Sequence, residues 1–284
     1  MDDKLIKIKV KKENILSEVL KENLSKRFYR HLKYICAEVK VNGIEKKWYE
    51  KVSTRDCIEI RYKESEKEYV WPVSDELPEI LFENEHYLII NKKGGILTIP
   101  TRGNPCSLYQ QIVSYLKANT VHILNRLDKE TSGLVLVAKD RYAASLLEPT
   151  HKHIVRKYLC LVEGIVEKDG IIQNYIAKSD QSNQRFIGTK ENGKLAISSY
   201  RVLKRFAEHS LLEFTLQTGR THQIRLHTSS MGHPIVGDYL YGNSEGELCL
   251  TSYYLEFKDP FTNEIIQKQI KEAWSYGGRA KEEI

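Results

Sequence analysis

Residues 122–140, HILNRLDKETSGLVLVAKD, place Arg126 and Asp128 on a polar turn, then Thr131, Ser132 and Gly133, then the apolar run 134–138. A lone Asp in such a turn serves by default as a turn former, its carboxylate accepting from nearby backbone N–H groups. The apolar run changes that reading, because a buried strand anchors the turn and can hold a reactive carboxylate in place. A second stretch, TGRTHQIRLHTSSMGHPIVGDYLYG over 218–242, holds Arg220, His222, Arg225, His227 and His233. His222 and His227 are five apart and His233 lies beyond Gly232, so they lack the i, i+4 spacing of a helical metal pair, and no metal is expected. A dense Arg and His set suits phosphates or a carboxylate instead. In VRKYLCLVEG, Tyr158 taken alone reads as a core tyrosine with its hydroxyl satisfied at the edge.

The elements that must position these residues follow from periodicity. Ile15, Val19, Leu24, Phe28, Leu32 and Ile35 recur at near-helical spacing, and Ser25 is placed to cap a second helix within that run. Asn42-Gly43 marks a hairpin, and Ile58, Ile60 and Tyr62 alternate with Glu59 and Arg61 as one buried strand face. Residues 64–79 mix charge with Pro72 and Pro78, which indicates a linker. Beyond it, EILFENEHYLIINKKGG predicts two strands about a turn at Asn84-Glu85. GLVLVAK, KYLCLVEG, SSYRVLKRF, LLEFTLQTG and CLTSYYLEFKD add further strands, while LYQQIVSYLKA and RYAASLLEPTH predict helices. In 218–242, Thr218 or Thr221 is expected to cap a helix that Gly232 stops before Pro234. Strands outnumber helices and many are joined by short turns, so an α+β fold with a mainly antiparallel mixed sheet is expected rather than a doubly wound one. The expected domains are 1–63 and 80–270, joined by the linker 64–79 and followed by a polar tail over 271–284.

Composition bounds the function. The 284 residues carry 44 Lys plus Arg against 38 Asp plus Glu, a net charge of +6 that favours an anionic partner. Five scattered cysteines, with no C-x-x-C pair, suggest neither a zinc site nor a disulfide framework. The opening MDDKLIKIKVKKENIL lacks the apolar core of a signal peptide, and no window approaches a membrane span, so a cytoplasmic protein without membrane association is expected.

Two resemblances sharpen these expectations. Residues 14–63, two basic helices and a hairpin, resemble the small αL-type RNA-binding module found in a small-subunit ribosomal protein and attached to many RNA-modifying enzymes. Lys26, Arg27, Arg30 and Lys33 are its candidate RNA contacts, against the simpler reading of a solvated basic face. NKKGGILTIP, NRLDKETSGLVLVAK, RKYLCLVEG and GRTHQIRLHTSSMGHPIVGDYLYG, in that order over about 80–258, resemble the RluA-type pseudouridine synthases.

The second resemblance implies a catalytic domain of the pseudouridine synthase type. It implies Asp128 as the catalytic aspartate, which attacks the nucleoside while uracil is detached, turned and rejoined through carbon 5. Tyr158 would stack on the base and is a candidate for removing the carbon 5 proton. Arg225 would pair with Asp128, and a facing guanidinium favours the ionised carboxylate. Arg126 would enter the gap left by the flipped nucleotide, since a stacked uridine must be extruded before its glycosidic bond is reachable. Arg220 and His222 would meet the RNA. Neither a cofactor nor a bound nucleotide is implied, and a monomer is expected. The chain departs from the family pattern at Asn125, where His is usual, and at Lys92-Lys93, where Lys-Pro is usual; Asn125 is expected to support the turn.

The expected function is thus isomerisation of uridines in ribosomal RNA, the large subunit first, or in transfer RNA. The alternative is a non-catalytic factor binding structured RNA or the ribosome on the same scaffold. A carboxylate-pair hydrolase would need a second acid beside Asp128, where the motifs supply arginines.

Overall fold

A computed structural model of the chain describes residues 3–32, 34–35, 37–63, 72–101, 106–150, 154–179, 184–243 and 246–271. Lys33, the 64–71 part of the expected linker and the 272–284 part of the expected tail lie outside the described residues. The chain divides into two compact units, one formed by 1–89, 109–124 and 136–152, the other by 90–108, 125–135 and 153–284.

In the first unit, β1 (Asp3–Lys9), β6 (Cys57–Lys63), β3 (Glu38–Val41) and β4 (Ile44–Glu45) form a sheet in the order β1-β6-β3-β4. Strand β6 buries Ile58, Ile60 and Tyr62 and turns Arg61 outward, the alternation of a sheet with one wet face. The β3–β4 turn has Asn42 and Gly43 both at positive φ, 52° and 82°, which only such residues adopt readily. Helices α1 (Leu16–Asn23) and α2 (Lys26–Leu32) cover the buried face with Leu16, Val19, Leu20, Phe28 and Leu32. The Ser25 hydroxyl accepts the Phe28 N–H at 3.1 Å, the cap expected from the sequence. Phe28 meets the rings of Tyr62 and Tyr142 at 5.2 and 5.7 Å, so α2 packs on α4 (Arg141–Thr150). The exposed Arg27 pairs with Glu148 of α4 at 2.9 Å. The same unit contains the short pair β2 (Asn14–Ile15) and β5 (Lys51–Val52), then β7 (Glu79–Glu83), which leads into β8 (Tyr87–Lys92), α3 (Leu108–Leu116) and β9 (His122–Ile123). Residues of the 72–78 segment lie against α3, with the Gln110 amide donating to the Pro72 carbonyl and Gln111 to Glu76.

In the second unit the strand order is β13-β12-β14-β15-β11-β16-β10, with β17 on the side of β16. The ranges are β10 (Ser132–Ala138), β11 (Val155–Glu163), β12 (Gly170–Lys178), β13 (Arg185–Gly188), β14 (Lys194–Arg205), β15 (His209–Leu216), β16 (Leu250–Lys258) and β17 (Ile265–Gln269). The pairings from β13 through to β16 are antiparallel, and β10 runs parallel to β16, the mixed sheet expected. Strand β10 is buried at every position, as its unbroken apolar run requires. Gly133 sits at φ +114°, and a Cβ there would collide with the Ser252 carbonyl, so β10 can approach β16 only through a glycine. Helix α5 (Gln223–Ser230) packs against β12, β13 and β14. Among the described residues no helix is long and apolar enough to cross a membrane.

Candidate active site

The turn that carries Asp128 is held on both sides. Asn125 is buried and donates through Nδ2 to the Leu134 carbonyl at 3.1 Å, closing the turn onto β10 as expected of it. The Thr98 hydroxyl clasps Leu127, donating to its carbonyl at 2.7 Å and accepting its N–H at 3.2 Å. Lys92, the last residue of β8, is fully buried, and its ammonium donates to the carbonyls of Lys93, Ile96 and Lys129 at 2.8, 2.8 and 3.0 Å. Three acceptors use all three hydrogens of an ammonium. Burial pushes its pKa down to about 8, against the pull of Glu130 and Asp128. Asn125 and Leu127 point inward while Arg126 is exposed, so the turn leaves Arg126 at the surface and the Asp128 side chain 25% exposed.

Tyr158 reaches the site through register. Ser252 on β16 is paired with Gly133 on one side and Tyr158 on the other, which sets Tyr158 two strands from the start of β10. A register shift at Lys157/Tyr158 falls at this position, a device that re-aims a side chain beside a site. The ring is buried, and burial raises the phenol pKa, with Arg156 and Ser252 opposing and Asp128 adding to the rise. Tyr158 is thus a neutral phenol at neutral pH.

Helix α5 departs from expectation at its start. Neither Thr218 nor Thr221 caps it; the N-cap is His222, at φ 55° and ψ 23°, with no side-chain cap bond. Thr218 instead accepts the Ile197 N–H at 2.8 Å and donates to Gln223 Oε1, because Gln223 pins the helix to β14 through Ile197 and Ser198. The expected stop does occur: Gly232, at φ +81°, follows the last turn.

The expected pair between Arg225 and Asp128 is corrected by the structure. Arg225, with its side chain only 3% exposed, grips Asp238 in a two-pronged bond, Nε to Oδ2 at 2.8 Å and Nη2 to Oδ1 at 2.6 Å. A planar fork matched to one carboxylate holds that geometry, so Arg225 acts on Asp128 through space rather than by direct pairing. Asp238 also accepts the N–H groups of Leu240 and Tyr241 at 3.0 and 3.1 Å. The side chain beside Asp128 is that of His222, with Nε2 at 4.0 Å from Oδ1. The His222 side chain is only 14% exposed. Arg220 is exposed, and its Nε donates to the Leu195 carbonyl at 3.0 Å.

The remaining histidines are occupied elsewhere. His227 is buried and meets the Ser198 hydroxyl at 3.0 Å, with burial lowering its pKa to about 4, and His233 meets the Glu163 carbonyl at 2.8 Å. Sequence reading gave no role to Lys92, Gln223, Asp238 or Tyr241. All four lie inside the quoted motifs, but each is fixed by at least one partner on another element: Lys129 for Lys92, Ile197 and Ser198 for Gln223, Arg225 for Asp238, and His222 for Tyr241.

A partly exposed carboxylate, a neutral buried phenol, a histidine and a buried arginine–aspartate pair thus converge at one end of a mixed sheet. The family model described as RNA pseudouridylate synthase matches residues 86–230. Two Bacillus subtilis proteins are similar over most of their length. YjbO, named as an uncharacterized RNA pseudouridine synthase, is 31% identical over 252 residues, 85% of this chain and 89% of its own. YhcT, named likewise, is 35% identical over 228 residues, 76% and 75% respectively. The ribosomal large subunit pseudouridine synthase D of Nitrosomonas europaea is 35% identical over 206 residues, 66% of this chain and 60% of its own. The solved structure of human RNA pseudouridylate synthase domain containing 1 shares the fold, with a TM-score of 0.61 over 72% of this chain and 88% of that one at 23% identity. The fold and the family match define an isomerase whose substrate is RNA. The chain belongs to the RluA-type pseudouridine synthases.

Proposed function

We propose that this enzyme isomerises one or a few uridines of large-subunit ribosomal RNA to pseudouridine, as a cytoplasmic monomer, with Asp128 as nucleophile. The observation that carries this reading is the Asp128 carboxylate itself, partly exposed on a turn that Thr98, Asn125 and Lys92 hold rigid. An Asp128 oxygen bonds to C1′ as the N1–C1′ bond breaks, that bond breaks in turn as C5–C1′ forms, and the proton lost from C5 is balanced by one gained at N1, so no electrons are exchanged. Tyr158 stacks on the extruded base. Its raised pKa keeps the phenol protonated, so it can take the C5 proton only after giving up its own. Arg126, exposed two residues from Asp128, fills the gap in the RNA. Residues 1–63 form the RNA-binding domain, supported by a core drawn from Ile6 to Tyr62 and by exposed Lys26, Arg27 and Arg30. The name of the Nitrosomonas relative supports the choice of ribosomal over transfer RNA.

The test is to map pseudouridine by carbodiimide-dependent reverse-transcription stops in total RNA from cells with the gene, without it, or with Asp128→Asn. Loss of the same stops in the last two supports the reading. Stops retained with Asp128→Asn refute the nucleophile, and stops lost only from transfer RNA refute the substrate. Strongly salt-dependent RNA binding with no change at any uridine would favour the non-catalytic alternative.

A further inference from the structure

We propose that His222 is the positioning residue for Asp128: a neutral imidazole, locked by Tyr241, that turns its Nε2–H toward the Asp128 carboxylate. This rests on the reading of Asp128 as nucleophile. The backbone gives the first indication. His222 holds a left-handed conformation, which a non-glycine residue adopts rarely, yet its side chain makes no cap bond to the helix it begins. The ring is instead held at Nδ1, 2.7 Å from the Tyr241 hydroxyl, and its Nε2 faces Asp128 Oδ1 at 4.0 Å.

The direction of the first bond follows from the partners of Tyr241. Its hydroxyl already accepts the backbone N–H of Arg185 at 3.0 Å. Burial raises the phenol pKa, so the hydroxyl keeps its single proton, and the partner placed to receive it is His222 Nδ1. An imidazole that accepts at Nδ1 carries its own hydrogen at Nε2, the atom that faces Asp128. Burial, with Arg225 and Arg185, lowers the His222 pKa against Asp128 and Asp238, which keeps the ring neutral at neutral pH.

Tyr241 is itself fixed, its N–H on Asp238 and its carbonyl accepting from Ser229 at 2.7 Å. A chain of contacts therefore runs from the Arg225–Asp238 pair through Tyr241 and His222 to Asp128. Its chemical sense lies in the difference between donors. A guanidinium clamped on both oxygens would occupy the nucleophile, whereas a single neutral N–H fixes one oxygen and leaves the other to attack. At 4.0 Å the donor stands just outside hydrogen-bonding range, a distance that tightens when substrate fills a site.

The experiment compares His222→Ala, His222→Gln and Tyr241→Phe in the full chain. Single-turnover tritium release is measured from a large-subunit ribosomal RNA transcript labelled with [5-³H]uridine, alongside affinity for the same transcript. His222→Ala is expected to slow turnover by at least about tenfold with affinity little changed. The Gln amide, which can donate from the Nε2 position, restores most of the rate, and Tyr241→Phe falls between. An unaltered rate in His222→Ala, or Gln as slow as Ala at equal melting temperature, overturns the proposal. So does a defect lying wholly in RNA affinity. Nitrogen-15 spectra of the imidazole in the unliganded protein give a readout independent of substrate: a proton at Nε2 supports the proposal, and one at Nδ1 overturns it. Activity surviving in Asp128→Asn would instead sink the nucleophile reading, a failure visible without any His222 variant.

Discussion

Around Asp128 charged and polar side chains are locked in pairs: Arg225 with Asp238, Lys92 with three carbonyls, Tyr241 with His222, and Asn125 with Leu134. On α2 the cationic residues Lys26, Arg27 and Arg30 stand in solvent, and the helix is held by its apolar side through Phe28 and Leu32. In the first region charge is structural, and removing one partner strands another in a dry interior. In the second, charge is a surface property that can change without disturbing the fold. The two regions should therefore answer substitution differently, one in stability and turnover together, the other in RNA affinity alone.

The largest effect is expected at Arg225. Replacing it with Met leaves the buried Asp238 carboxylate without its guanidinium, and breaking such a pair from one side costs about 3–5 kcal/mol. Denaturant unfolding of Arg225→Met should show that loss, and Arg225→Met combined with Asp238→Asn should recover part of it. A stability near that of the wild type would mean that water reaches Asp238 and that this region is less dry than its contacts indicate.

Next comes Lys92. Lys92→Met leaves three carbonyls without their common donor, at about 1–3 kcal/mol for an unsatisfied group, and loosens the turn before β10, so turnover should fall together with stability. The pH dependence has a definite sign. The folded value of about 8 lies below the ordinary 10.5, so between those pH values the unfolded chain binds more protons and this group adds stability as pH rises. The gain, on the order of 1–3 kcal/mol, should be present in the wild type and missing from Lys92→Met. Equal pH slopes in the two proteins would show that Lys92 titrates like an exposed lysine.

The basic helix sharpens the contrast from the other side. Lys26→Ala with Arg30→Ala should leave the melting temperature unchanged while weakening RNA binding, and should reduce the slope of log affinity against log salt by about one per lost phosphate contact. An unchanged slope would make these side chains a solvated face.

What the sequence disclosed divides along the same line. The Asp128 turn, β10, the Ser25 cap and the alternation of β6 were legible because each depends on neighbours within a few residues. The partner of Arg225 was not, since it lies thirteen residues on, past the end of α5. Strands β1, β12, β13 and β17 also went unread. In β1, Ile6 and Ile8 alternate with lysines beside exposed Leu5, and its place is set by pairing with the distant β6; β17 is mostly exposed and pairs with β16 just before it. At His222 a local rule failed outright: capping preference favours Thr, but the N-cap is a histidine whose Nδ1 is bonded to the Tyr241 hydroxyl instead of to the helix, and such failures gather at functional sites.

The smallest expected effect lies in the Arg27–Glu148 pair. Its side chains are 81% and 49% exposed, so the pair contributes little to stability and salt screens what it does contribute. It does compete for Arg27, because Nη1 donates to both Glu148 oxygens at 2.9 Å and so presents fewer hydrogens to a phosphate. Glu148→Ala should then leave the melting temperature unchanged, raise RNA affinity by about two- to threefold at low salt, and steepen the salt slope by about one. The same substitution paired with Arg27→Ala should erase that gain. If Glu148→Ala tightened binding equally in both backgrounds, the benefit would come from removing a general negative charge near the RNA, and Arg27 would make no phosphate contact of its own.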